Sequence, residues 1–491
     1  TVRYYNRDRL MIYFLNKNYT YPGCTKIIKG KTGVDYFINN IKDNITLEEG
    51  DVLYRDLIDG DDVLLNRAPS LLNTSISGLK VRVMKTGETF RLSANIVSSL
   101  FNGDFDGDAM QVLFLHSLMA TNEARMLCSI KKWFVSYKNA SPTVGIYHDG
   151  VIGIFEFTAN ENIMNKYNTM NLLGQIDDYS ILNNLELKDT NHGRDIISAL
   201  IPKINYTRNA NFYKPDYSEF INYNDDEIKI SINRGKVLSG RFDKKIIGEG
   251  VNGSIFHIIH NEYGPTMAYD IINNIQQVTT LFQMHNGFTI NYNDITVNKK
   301  TFDIIKEQTS AILEESDQIT ENLRSGTMVP PIGMNLREYY EEQQLSALQL
   351  GDEYLKPILN YIDINNNLYK LIASGTKGKP TNFSQINASI GQTSIGGNRM
   401  KTTFSFGRTL PYFERFSTSP QSRGFVVESY TTGVQISSFL FQAQEARYGI
   451  INKALSTSIT GYQNRKSIKN LETLKIDNLR HVSKGSNIVQ T

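Results

Sequence analysis

The chain has 491 residues, of which 52 are basic, 50 acidic and 40% hydrophobic, for a net charge of +2. That length exceeds what one hydrophobic core organises, so about three or four domains are expected. The balanced charge excludes a uniformly basic nucleic-acid coat and confines any nucleic-acid surface to a local patch. Cys24 and Cys128 stand far apart without a Cys-x-x-Cys pair, which excludes a disulfide framework and a zinc knuckle and is consistent with a reducing compartment. No long uninterrupted apolar segment, signal peptide or lipidation motif is present, so a soluble chain is expected. It opens on Thr1 rather than Met and is expected to be part of something larger. Frequent Asn, Ile, Lys and Tyr beside a single Trp are the bias of an AT-rich genome.

Over residues 1 to about 125, short apolar runs are divided by Gly, Asp and Asn. Asp51–Tyr54, Asp62–Leu65, Leu79–Met84 and Thr89–Leu92 read as strands, the third alternating at period two. Within this mainly β region lies Asn102-Gly103-Asp104-Phe105-Asp106-Gly107-Asp108. Carboxylates so closely spaced repel one another unless a cation lies between them, and Gly103 and Gly107 let the backbone bend so that the oxygens converge. An all-oxygen set of this size suits Mg²⁺, which in turn points to a phosphorylated substrate. Three other readings stand beside it. Asp-x-Asp occurs in ordinary solvated turns. A calcium loop of the EF-hand kind needs Gly and Glu where this chain has Ala109 and Leu115. An Asp-x-Asp phosphatase needs a buried strand before the first Asp, but Ser93–Ser99 is polar and Ser-rich.

From about 126 to 295 helical and strand patterns alternate, with Asn233-Arg234-Gly235-Lys236 as a hairpin turn between Ile228–Ile232 and Val237-Leu238. Asn222–Glu227 reads as an acidic turn. Residues 299–325 and 335–373 carry apolar positions at three- and four-residue spacing, with Val329-Pro330-Pro331 between them, and predict two long helices. Ser437–Leu471 runs without proline and predicts a third helix of roughly 50 Å at 1.5 Å per residue. Gly449 and Gly461 inside it invite bending.

Beside the metal loop, further motifs follow in fixed order: Leu65-Asn66-Arg67-Ala68-Pro69-Ser70-Leu71 upstream, then Gly375-Thr376-Lys377-Gly378, Gly391-Gln392 and Ser422-Arg423-Gly424-Phe425. Tyr21-Pro22-Gly23, Leu238-Ser239-Gly240 with Asp243-Lys244-Lys245, His285-Asn286-Gly287-Phe288 and Thr460-Gly461-Tyr462 extend the set. Together they resemble the largest subunit of multisubunit DNA-directed RNA polymerases, called β′ in bacteria. The resemblance implies an α+β multidomain chain. Residues 1–125 would form the double-psi β-barrel active-site domain, 126–295 the pore domain, 296–405 the funnel domain with its helical pair, and 406–491 the start of the cleft domain. The bridge helix would lie at about 437–471. The amino-terminal clamp and the trigger loop would lie outside the sequence. Gly103 stands where the family usually has Ala, Ala109 and Gln111 replace a commonly acidic or amide residue and Asn, and Leu72 replaces His. These departures, with the composition and the Thr89–Leu92 string, which is more like eukaryotic and viral enzymes than bacterial ones, point to a large DNA virus, with a phage or plasmid polymerase as the alternative.

The resemblance also implies roles. Asp104, Asp106 and Asp108 would hold one Mg²⁺ while a second arrives with the nucleoside triphosphate, for two-metal phosphoryl transfer. Arg67 and Asn102 would contact the ribose hydroxyls of the incoming nucleotide, the alternative being that Arg67 merely pins a loop. Lys377 would approach the triphosphate or be a solvated turn residue. Thr457 and Ser458 on the long helix would lie against the template base, although Ala is commoner than Ser458. Residues 461–491 hold six Lys/Arg against two Asp/Glu, suited to template phosphates or to a hydrated helix end. Expected partners are the second-largest subunit, smaller subunits, the remainder of the largest subunit, template DNA, nascent RNA and nucleoside triphosphates, with no membrane. The expected location is intracellular: host cytoplasm or virion if viral, otherwise nucleus. Two rival functions are a non-catalytic structural paralogue and a two-barrel RNA-dependent polymerase.

Overall fold

The computed structural model describes all residues except 18, 38–45, 177–186, 211–224, 298, 352–353, 356–364, 479, 486 and 491. Helices and strands mix throughout in an α+β multidomain chain. It divides into two compact units, Thr1–Phe212 with Asn224–Gly287, and a second whose described part begins at Phe288.

The first unit opens with two antiparallel three-stranded sheets. In one, β1 (Cys24–Ile28) lies between β2 (Asp35–Phe37) and β3 (Val52–Arg55). Its inward residues Cys24, Ile27 and Leu53 close a core with Tyr13 and Phe14 of helix α1 (Arg7–Asn16), and burial pushes the Cys24 thiol up to about 12. In the other sheet, β4 (Asp62–Asn66) lies between β5 (Ile76–Lys80) and β6 (Gln111–Phe114), with Leu65 opposite both Ser77 and Val112. Val63 and Leu65 are buried while their neighbours are partly exposed, the alternation expected of a half-buried strand.

Two predicted strands are corrected here. The chain leaves the sheet at Lys80, and neither Val81–Met84 nor Thr89–Leu92 is a strand. Asp59 Oδ1 accepts from the Val83 N–H at 2.6 Å, so a side chain takes the donor that a ladder would use. The polar Ser93–Ser99 stretch enters helix α2 (Ala94–Phe101), which buries Asn95, Val97, Leu100 and Phe101. The lead-in to the acidic loop is therefore a helix, not the strand that a phosphatase reading requires.

Later in this unit, helix Pro265–Asn286 packs on helices Asp149–Phe157 and Ile255–Tyr263. Gly153 lets the first pair approach, since a Cβ there would lie 3.2 Å from the Thr279 carbonyl oxygen, and Phe157 meets Phe282 edge-on at 5.0 Å. The expected hairpin joins Lys229–Asn233 to Lys236–Ser239, with positive φ at Arg234 and Gly235 as a two-residue turn of this hand requires. Of the predicted acidic turn, 222–224 lie outside the described residues, and Asp225–Ile228 is a short helix.

In the second unit, the first predicted helix is Lys299–Arg324. The stretch 335–373 is not one helix: it contains Leu336–Ala347 and Asn367–Ala373, with 352–353 and 356–364 outside the described residues. Asn366 explains the restart, because its side chain accepts from the Tyr369 N–H and caps a new N-terminus. Lys299–Arg324 and Leu336–Ala347 meet along a buried polar seam. Gln344 Nε2 donates to the Ser316 carbonyl at 2.8 Å and to Thr320 Oγ1 at 3.1 Å, and Thr320 bonds Tyr340 at 3.2 Å. The long helix is Ile436–Leu471, and its helical assignment continues through Gly449 and Gly461. Phe441 is its buried anchor, packed with Met400 and Leu410.

Glu341 joins distant segments of this unit: Arg399 Nε reaches one carboxylate oxygen at 2.8 Å and Arg423 Nη2 the other at 3.0 Å. Arg399 is 2% exposed, so removing the shared carboxylate strands buried charge. Glu341→Ala is expected to destabilise the fold by about 3–5 kcal/mol. Denaturant unfolding checks this, and wild-type stability would contradict it.

Candidate metal centre

The acidic loop is positioned by α2 and by the β4–β6 register. α2 ends at Asn102, which adopts the left-handed conformation (φ 47°, ψ 35°) that Asn tolerates better than most residues, and both its N–H and that of Gly103 return to the Val97 carbonyl. Gly107 supplies the second reversal at φ 113°. Between these two bends, the carboxylate oxygens of Asp104, Asp106 and Asp108 lie within 4.8 Å of one another, and all three residues are exposed. Three hard oxygen donors at this separation fit a small divalent cation, and the set offers no His or Cys for a softer metal.

Arg67 reaches the same loop from the end of β4. Pairing of Asn66 with Gln111 across the sheet brings residue 67 beside residue 108 despite a separation of 41 positions along the chain, and Arg67 Nε donates to Asp108 Oδ2 at 2.7 Å. A second donor, Arg67 Nη1, bonds the Phe101 carbonyl at 3.3 Å. Neighbouring amides tie the Arg67 loop to β6: Ser70 Oγ donates to Asn66 Oδ1 at 2.6 Å, and Asn66 Nδ2 donates to Gln111 Oε1 at 3.0 Å. Sequence reading missed the Arg67–Asp108 pair and the role of Gln111. Neither residue type announces a partner so far along the chain; the strand register would have been needed to find them.

The acids differ electrostatically. The Arg67 hydrogen bond, aided by the Asp104 N–H, holds Asp108 below the ordinary carboxylate range. The Asp104 carboxylate, by hydrogen bonding and then by repulsion, holds Asp106 above it. Gly103 is tightly placed: a Cβ there would lie 2.9 Å from Val97 Cγ1, so the Ala usual in the resembling family requires Val97 to shift.

Of the other residues singled out in the sequence, Asn102 adjoins the loop and lines a cavity of about 580 Å³ with Ser98, Ser99, Trp133 and Lys138. Lys377 belongs to the second unit, exposed in a turn between Gly375 and Gly378, both at positive φ. Thr457 and Ser458 lie on the long helix of that unit, where the Thr457 hydroxyl bonds the Ala454 carbonyl at 3.0 Å. The structure thus groups Asp104, Asp106, Asp108, Arg67 and Asn102.

Because a proton on Asp106 competes with a cation, Mn²⁺ affinity is expected to begin falling, as pH is lowered, above the value of about 3.9 for an isolated Asp. Electron paramagnetic resonance of free Mn²⁺ against pH checks this; affinity unchanged down to that value would contradict it.

Four family models match in chain order: RNA polymerase Rpb1, domain 2 over residues 1–130, domain 3 over 133–295, domain 4 over 319–426 and domain 5 over 433–491. Curated relatives called DNA-directed RNA polymerase RPB1 homolog, from African swine fever virus strain Badajoz 1971 Vero-adapted and isolate Tick/Malawi/Lil 20-1/1983, are each 37% identical over 500 residues. Those alignments cover 100% of this chain and 34% of each relative, so the chain spans about a third of the length of the relatives it matches. Neither the acidic loop alone nor the fold alone would decide the matter, but four consecutive domain matches and a viral relative aligned over the whole of this chain do: the chain belongs to the largest-subunit family of multisubunit RNA polymerases, of the kind found in large DNA viruses.

Proposed function

We propose that this chain is the catalytic part of the largest subunit of a DNA-directed RNA polymerase, which joins ribonucleotides on a DNA template. The observation that carries the reading is the convergence of three carboxylates within 4.8 Å beside an arginine, in a chain of this family. In this reading, residues 1–125 form the double-psi β-barrel, 126–295 the pore, 296–405 the funnel and 406–491 the start of the cleft domain with its bridge helix. Activity requires the second-largest subunit, with the smaller subunits and the rest of the largest one. The complex works in the host cytoplasm, in the virion or in both. No helix among the described residues is long and apolar enough to cross a membrane.

Asp104, Asp106 and Asp108 would hold one Mg²⁺, and the triphosphate would bring another. When bound, such ions supply activation of the attacking hydroxyl and charge neutralisation at the phosphates. The chain's own residues do the rest by position. Gly107 and the left-handed Asn102 fix where the acids point, and Arg67 keeps Asp108 ionised. Arg67 and Asn102 would present donors to the ribose hydroxyls, so that a sugar lacking one leaves a donor unpaired. Lys377 would approach the triphosphate, and Thr457 and Ser458 the template base.

Two outcomes are expected in the assembled polymerase. Asp106→Ala should preserve assembly and lower nucleotide addition by at least about a thousandfold; assembly is read by co-purification and addition by primer extension, and near-normal RNA synthesis would refute the assignment. Arg67→Ala should reduce the preference for ribo- over deoxyribonucleotides, and unchanged selectivity in a competitive incorporation assay would contradict the ribose role.

A further inference from the structure

In the first unit, Lys188, Lys203, Arg234 and Lys236 line one cavity of about 440 Å³, with Asp195 as the single carboxylate among its described lining residues. All four cationic residues are exposed, whereas Gly235 and Ile201 between them are buried. Among the described residues none of the four makes an ion pair. Some basic residues elsewhere in this unit are matched with acids, as in Lys29–Asp51 at 2.8 Å, Arg55–Asp61 at 2.7 Å and Arg125–Asp62 at 2.5 Å. Four like charges gathered on one concavity repel one another, and an anion relieves that repulsion.

The backbone beneath these charges is fixed. The hairpin tip rests on the 201–204 loop so closely that a Cβ on Gly235 would lie 2.7 Å from the Pro202 carbonyl oxygen. The Gly235 N–H donates to the Ile204 carbonyl at 2.9 Å, the Arg234 N–H to Asn205 Oδ1 at 2.8 Å, and the Val237 N–H to Ser198 Oγ at 2.9 Å. Tyr263 anchors the Lys203 carbonyl at 3.1 Å, and the Lys188 N–H donates to buried Asn191 at 3.0 Å. The main chain is therefore committed to internal bonds while four cationic heads remain for a ligand. Guanidinium and ammonium groups on a rigid frame suit phosphate oxygens, which accept several donors at once. The cavity volume falls within the roughly 300–1,000 Å³ of small-molecule sites.

We infer that this cavity is a phosphate-binding site, occupied by the phosphates of a single-stranded RNA or of a free nucleoside triphosphate. It is separate from the acidic loop and does not depend on that loop's role.

The test measures binding of a fluorescein-labelled 12-nucleotide RNA to the full 491-residue chain by anisotropy, over a series of salt concentrations, with ATP as competitor. Arg234→Glu/Lys236→Glu is expected to weaken RNA or ATP binding about tenfold. Where RNA is the ligand, it should also flatten the dependence of log affinity on log salt by about 1.4, or about 0.7 per lost phosphate contact. Lys188→Gln/Lys203→Gln should act in the same direction without introducing negative charge. The control Lys299→Glu/Lys300→Glu, the same charge change at exposed positions of the second unit, should have little effect. ATP that displaces RNA from the wild type identifies the free nucleotide as a ligand of the cavity, and failure to displace it identifies the strand. Wild-type affinity in both cavity variants, an equal loss in the control, or no binding of either probe would overturn the inference.

Discussion

Three carboxylates held within 4.8 Å of one another repel, and the structure around residues 102–108 is arranged around that repulsion. Part of it is offset internally. Arg67, delivered by the β4–β6 register, neutralises Asp108, and the Asp104 N–H adds a second donor to the same oxygen. The remainder falls on Asp104 and Asp106, where the raised proton affinity of Asp106 records it. A divalent cation, as in the proposed function, would offset what Arg67 does not. The two bends at Asn102 and Gly107 make the clustering geometrically possible, and the sheet supplies the cation that makes it tolerable.

Local features of the fold were legible in the sequence, while features set by distant partners were not. The hairpin at Arg234-Gly235, the helix Lys299–Arg324 and the helix Ile436–Leu471 follow from turn chemistry and periodicity carried within each segment. Leu79–Met84 has the alternation of a strand, yet Asp59 takes a backbone donor and the segment leaves the sheet. The 335–373 stretch has helical spacing throughout, but Asn366 caps a fresh helix inside it. The acidic triad could be read from spacing alone because its members are two residues apart. Arg67 could be assigned to the neighbourhood only by resemblance, and its bond to Asp108 depends on strand register, which no single segment encodes.

The second unit solves a different problem. Its helices enclose hydroxyls, amides and arginines rather than a purely apolar interior, and each buried polar group constrains register as well as stability. Gln344 links two helices through three bonds, and Glu341 serves two arginines at once. The long helix contrasts with this. Phe441 is buried, while Ile450, Ile451, Leu455 and Ile459 are exposed within this chain. Such a helix is held at one end and presents most of its length outward, consistent with membership of a family whose members work as parts of larger assemblies.

Localised cleavage by a redox-active substitute tests whether residues 102–108 hold a divalent cation. Fe²⁺ with ascorbate and peroxide, added to the purified chain, generates hydroxyl radicals where the ion is held, and the cut peptide bonds can be mapped by mass spectrometry. Cleavage is expected to concentrate at Asn102–Asp108, to be suppressed by excess Mg²⁺ and to be absent from Asp106→Ala. Cleavage that spares this loop, or that Mg²⁺ leaves unchanged, would contradict it.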